Sequence, residues 1–273
     1  MTKEERDFLE IWFEDYIGQF RDQDGALHPM LELKRCHSIR VAENARFIAA
    51  ALNLPKAGQC LAESAGLVHD VGRFTQFTRH GSFRDADSVD HGIEGRRVLE
   101  TQDLPLLCDP GDRERLLCTV EYHNRNRWDI PSDFSFELDR LLRLIRDADK
   151  LDIMEIVLHK TASDGFQDLP MMLPHISLGR ELSPEVLKEA QNTQSVSSNK
   201  LSTLADFLVM IATWFYDLNY APTLQLAFQR DILSRLQQEL PRTESVSKIF
   251  AVISDAVKKG GQRKVGYEIY NSI

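Results

Sequence analysis

No run of apolar residues approaches the roughly 18 needed to cross a bilayer. The opening residues, Met1-Thr2-Lys3-Glu4-Glu5-Arg6, are charged where a secretory signal would be apolar. Both absences predict a cytoplasmic protein with no membrane partner. Cysteine is scarce: four in 273 residues, with no CxxC spacing, which excludes a zinc ribbon and a dithiol redox motif. Cys36, Cys60, Cys108 and Cys118 are expected to be reduced thiols, most of them buried. An excess of positive charge is also missing. Lys and Arg number 33 against 42 Asp and Glu, a net charge of −9, which excludes broad nucleic-acid binding. A small anionic ligand stays open, because local charge can differ from global charge. There is no internal repeat, no low-complexity tract and no convincing strand alternation.

Helical periodicity is what remains, nearly throughout. Helices are predicted over Lys3–Ile17, Leu33–Leu52, Gln59–Val71, Gly92–Glu100, Asp112–His123, Glu137–Leu158, Pro184–Thr193, Ser202–Leu218, Thr223–Leu240 and Glu244–Lys259. Gly72–Asp90 and Asn124–Pro131 read as structured loops, and Gln194–Asn199 as a flexible excursion. The fold expected is all-α: a multi-helix bundle over residues 1–165, with C-terminal helices over 166–273 packed on it as one compact unit.

Polar residues interrupt the apolar stripes at particular places. His37 lies four residues before Val41 on the stripe Val41-Ala45-Ile48-Leu52. His69 follows Ala65 by four on the stripe Leu61-Ala65-Val68. Asp149 follows Ile145 by four on a stripe expected to continue through Ile153 and Ile156. Asp70, rotated by about 100° from His69, reaches the same point from the side. A lone buried histidine is more often a hydrogen-bonded core residue, and a lone Asp149 would pair with Arg146 or Lys150. Two imidazoles and two carboxylates on coincident core faces instead suit a divalent ion, and this donor mix favours Mn, Fe, Ni, Co or Zn over Ca. His123, three beyond Val120, and His91, opening a helix for which Ser88 is the expected N-cap, extend the pattern. They suit a second ion, with Asp70 bridging, or contacts to a phosphate.

In order and spacing, His37, then His69-Asp70, then Asp149 in Ala148-Asp149-Lys150-Leu151-Asp152 resembles the H…HD…D signature of the HD-domain superfamily of metal-dependent phosphohydrolases. The likeness covers about residues 30–155, and it extends to bacterial members with an HDxGRFxQF stretch, here His69 to Phe77. The GYP-type extension of cyclic-diguanylate phosphodiesterases is absent. The resemblance implies one or two metal ions on His37, His69, Asp70 and Asp149, with His91 and His123 for the second. It further implies hydrolysis of a phosphoester or phosphoanhydride, of a nucleotide or other small phosphorylated metabolite, by metal-activated water.

Positive charge near these residues supplies candidate substrate contacts: Arg73 foremost, then Arg79, Arg96, Arg125 and Lys150, with His80, Arg84, Arg97 and Arg127 close by. Arginine suits phosphate because its planar fork donates two hydrogen bonds at once. Asp70, Arg73, Glu94 and Lys150 are the catalytic candidates, with Asp87 a further acid or base. Phe74, Phe77, Phe83 and Trp128 are candidates for stacking on a base. Two alternatives share the ligand set: a catalytically silent nucleotide sensor acting on a partner, and an HD-fold di-iron oxygenase. A homo-oligomer is left open.

Overall fold

The computed structural model describes residues 1–101, 109–126, 129–163, 166, 167, 173 and 175–270, with side chains described up to 258 in the last stretch. Cys108, Arg127, Trp128 and residue 165, the last before the expected boundary, lie outside the described residues. The fold is all-α. Its sole β feature among the described residues is an isolated bridge between Ser177 and Thr203. The chain divides into two compact units, Met1–Asp152 and Ile153–Ile273.

The first unit begins with α1 (Lys3–Gly18), which a Thr2/Glu5 capping box starts. α2 spans Pro29–Ala51 and begins four residues before the predicted Leu33. Proline at its first position costs no hydrogen bond and presets φ, and a ring nitrogen of His28 accepts from the Met30 amide. α3 covers Lys56–Val68, and it ends before His69 rather than after Val71. α4 is Gly72–His80, where a loop was predicted. Its apolar face is narrow, and Gly81 in the left-handed conformation at φ 64° closes it. A 3₁₀ turn, Asp85–Asp87, leads to α5 (His91–Thr101). The N-cap there is Asp90 rather than Ser88: the Asp90 carboxylate accepts from the amides of Gly92 and Ile93 at 3.0 and 3.1 Å. α6 (Pro110–Tyr122) and α7 (Phe136–Ser163) follow.

Val41, Ala45, Ile48, Ala62, Ala65, Val68, Val120, Leu142, Ile145 and Ala148 are wholly buried in the first unit. Small residues set how closely its helices approach. A Cβ on Gly66 would lie 2.9 Å from the Ala42 Cα, so α2 and α3 touch at the backbone. A Cβ on Gly72 would lie 2.2 Å from the His91 carbonyl oxygen and 2.5 Å from the Gly95 nitrogen, so only glycine lets α4 meet α5 there. Past Asp149 the buried face of α7 runs through Leu151, Met154, Val157 and Leu158, while Ile153 and Ile156 are half-buried and leave the predicted stripe.

The second unit contains the end of α7, then α8 (Pro184–Thr193), α9 (Leu204–Thr213), α10 (Ala221–Gln229), α11 (Ile232–Gln238) and α12 (Glu244–Tyr270). The helix predicted over Ser202–Leu218 is shorter and finishes as a 3₁₀ turn, Trp214–Asp217. The one predicted over Thr223–Leu240 is broken at Asp231, at φ 51°. α12 continues past the predicted Lys259. The Gln194–Asn199 stretch is tied down: Glu189 accepts from the Ser197 amide and hydroxyl and pairs with Lys200. Asp206, fully buried, accepts from Ser183 and from the amides of Ser202 and Thr203. No helix among the described residues is long and apolar enough to cross a membrane. Of the three described thiols only Cys118 is buried. Cys36 and Cys60 are half-buried, against the expectation that most would be inside.

Candidate metal centre

His69 and His123 occupy equivalent positions, each just past the last residue of a helix, α3 and α6. Each ring turns back so that Nδ1 lies 2.7 Å from the carbonyl three residues earlier, Gly66 and Val120. A carbonyl only accepts, so Nδ1 carries the hydrogen and a neutral ring presents a lone pair at Nε2. His37 lies inside α2, where the carbonyls are spent on the helix. Its Nδ1 instead meets Asp152 Oδ2 at 2.7 Å, and Arg40 clamps the same carboxylate from Nε and Nη2. His91, first residue of α5, has Nδ1 2.6 Å from Asp85 Oδ2. Four imidazoles from four elements are thus fixed at Nδ1, with Nε2 turned inward.

Asp70 lies among them. Its Oδ2 is 3.6 and 3.7 Å from the Nε2 atoms of His37 and His69, and its Oδ1 is 3.5 and 3.6 Å from those of His91 and His123. Asp149 Oδ1 faces the first pair only, 3.1 Å from His37 Nε2 and 3.7 Å from His69 Nε2. Two tiers share one carboxylate. His37, His69, Asp70, His91 and His123 are all buried, whereas the Asp149 side chain is 20% exposed and marks the solvent side. Lys34, one turn before His37, places its ammonium 2.7 Å from Asp70 Oδ2.

A metal fits this donor set. Nε2 of His37 and of His69 is buried without a hydrogen-bond partner, a costly arrangement unless a cation fills it. Nε2 of His91 lies 3.1 Å from Nε2 of His123, two lone pairs pointed at each other in the neutral rings. Nitrogen and oxygen ligands about 2.0–2.2 Å from one ion stand about 3.0–3.5 Å apart, close to the separations seen. Two three-residue groups, His37/His69/Asp149 and His69/Asp70/His123, bring ligand atoms within 4.8 Å of one another. Burial alone would push the His37 pKa down, yet Asp149 and Asp152 outweigh it and raise it. Burial would likewise raise Asp70, but Lys34 and His69 hold its carboxyl well below the usual range. His91 is pushed down to about 3 by burial and by the Arg73 charge.

The remaining candidates divide by position. Arg73 is beside the cluster, with Nε 3.6 Å from Asp70 Oδ1, while its Nη1 donates to Gln76, Asp85 and the Phe83 carbonyl. Lys150 is half-buried, next to Asp149 on α7. The rest have their charge partners elsewhere. Arg79 pairs with Glu94, Arg96 with Glu100, Glu114 and Glu121, Arg125 with Asp90, and Arg84 with Asp87. Glu94 also binds Arg97, which lowers its pKa and leaves it ill suited to donate a proton. Phe74 is wholly buried against Phe13, Tyr16 and Phe20 and offers no face to a base. Phe83 is half-buried, with Lys34 and Arg73 over its ring. Lys34, Asp85 and Asp152 were not singled out as site residues from sequence. Lys34 and Asp152 lie one helical turn from His37 and Asp149, a spacing that carries them.

Residues 35–154 match the family model for the HD domain. Over that segment, which is under half of the chain, the protein is similar to the HD domain. No curated protein and no solved structure matches the chain.

Proposed function

We propose that the protein is a metal-dependent phosphohydrolase that cleaves a phosphoester or phosphoanhydride of a small phosphorylated compound, nucleotides being the leading class. The observation that supports this most is the convergence of four inward Nε2 atoms on the two oxygens of Asp70. In this reading His37, His69, Asp70 and Asp149 hold one divalent transition ion, and His91, His123 and Asp70 a second. Such ions activate water near neutral pH and offset phosphoryl charge.

The chain's own residues do the rest. Asp152 with Arg40, and the carbonyls of Gly66 and Val120, keep the imidazoles in one tautomer and orientation. The buried aliphatic shell excludes bulk water, and approach is over Asp149, the most exposed acidic ligand. A phosphoryl anion arriving there meets Lys34 and Arg73, the two cations beside Asp70. The test is turnover of a panel of phosphomonoesters, phosphodiesters and nucleotides with Mn, Co or Ni. Activity that a chelator removes is expected. Metal-loaded protein that returns the whole panel unchanged would sink the reading. Nucleotide binding without turnover would then favour the sensor, and iron with oxygen uptake the oxygenase.

A further inference from the structure

The GRFTQ part of the HDxGRFxQF stretch holds no metal donor, yet its Arg73 and Gln76 side chains converge on one point. Gln76 is wholly buried, and its Nε2 lies 2.8–2.9 Å from Asp85 Oδ1, Ser88 Oγ and the Val89 carbonyl. Arg73, one turn earlier, reaches the same Asp85 Oδ1 at 2.8 Å. Asn124, just past His123, donates to Asp85 Oδ2 at 3.2 Å. The loop between α4 and α5 is therefore gripped chiefly through one carboxylate, whose Oδ2 receives the His91 ring.

His91 has a need that His69 and His123 lack. A histidine at a helix C-terminus finds a carbonyl one turn back. One at a helix N-terminus is surrounded by backbone N–H groups and finds no acceptor. A side chain from outside the helix has to serve.

We infer that Asp85 is a positioning residue that sets the His91 imidazole for a second divalent cation, held with His123 and Asp70, and that Arg73 and Gln76 serve to hold Asp85. This rests on the two-tier reading above. It gives the GRFTQ stretch a purpose: it builds the second tier from a loop that would otherwise have no fixed place. It also assigns Arg73 a part that does not require contact with substrate.

The test uses the full chain. Mn binding is followed by calorimetry and elemental analysis for the wild type, Asp85→Ala and Asp85→Asn. Ring ¹⁵N spectra of the metal-free proteins report the histidine tautomers. Wild type is expected to take up a second ion. Asp85→Ala should weaken that ion about 10–100-fold, the usual cost of losing an orienting partner, with the first ion unchanged. In the same variant His91 loses its single Nδ1–H form. Asp85→Asn, whose amide oxygen still accepts, should fall between the two and carries the test should the alanine variant not fold. Unaltered second-ion affinity, or equal weakening of both ions, overturns the inference. So does a wild type that binds one ion, an outcome that leaves phosphohydrolysis to be decided by turnover with that ion.

Discussion

His37 and His91 both turn Nε2 toward Asp70 and are held at Nδ1 by the same chemical group, but the carboxylates come from different kinds of structure. Asp152 projects from a 28-residue helix and is clamped by Arg40. Asp85 projects from a three-residue 3₁₀ turn and depends on Arg73, Gln76 and Asn124. The electrostatics differ in the same sense. Facing Asp149 and Asp152, His37 favours its proton, whereas burial beside Arg73 denies His91 one. The first tier is built for positive charge by the helical core itself. The second is assembled from local pieces around the Asp85–Asp87 turn.

The comparison can be broken at several points. Asp70→Ala removes the oxygen pair common to both tiers, so both ions and turnover should be lost together, by more than about a hundredfold, beyond the loss of an orienting partner. Elemental analysis beside the activity assay checks this, and retention of both ions would refute the shared-ligand geometry. Asp152→Ala should act on the first tier alone, weakening its ion about 10–100-fold, and calorimetric titration separates it from the Asp85 variants.

Gly72→Ala should strike the other tier. The added methyl meets the His91 carbonyl and Gly95, so α5 has to shift, and about 1–3 kcal/mol of stability is lost. Chemical denaturation gives the stability loss, and Mn titration should show the second ion weakened more than the first. Lys34→Met removes the ammonium from Asp70 Oδ2, the oxygen that faces the first pair. First-tier affinity should rise roughly severalfold as a competing cation disappears.

The smallest effect is one of sign. His37 has a raised pKa, so in metal-free protein its contribution is present below the ordinary histidine value and is lost as pH rises through the folded value. His91 is pushed down to about 3, so between about 3 and the ordinary 6.5 the unfolded chain binds the extra proton. Stability there falls as pH falls. Thermal melts from pH 7 to 4 should therefore fall less steeply for His91→Asn than for wild type, and more steeply for His37→Asn.

Much of the first tier was legible in the sequence, because His37 and Asp149 replace aliphatics on helical stripes and the stripe itself locates them. Residues that act from irregular backbone were harder to place. α4 has few apolar positions and no side-chain N-cap, so Gly72–His80 reads as loop, and nothing then marks Arg73 and Gln76 as facing one way. Asp85 looked like one acid among several in a mixed-charge stretch. Nothing in the sequence separates it from Asp87, which ends in an exposed pair with Arg84. The break at Asp231 was invisible for a related reason: aspartate tolerates left-handed backbone without the glycine that would advertise it. Arg79 and Arg96 illustrate the converse, since arginines near a site in sequence found carboxylates of their own.

The glycine seam has a consequence for how this protein can change. Because α4 and α5 meet main chain to main chain at Gly72, the offset between the tiers is set by peptide groups, with no side chain in between to trim or enlarge. Under the two-tier proposal, ligand swaps would alter which ion is preferred at either tier. Altering the spacing between two ions would require the seam to be rebuilt, several positions at once, so variation in this lineage should exchange donors far more readily than it moves them.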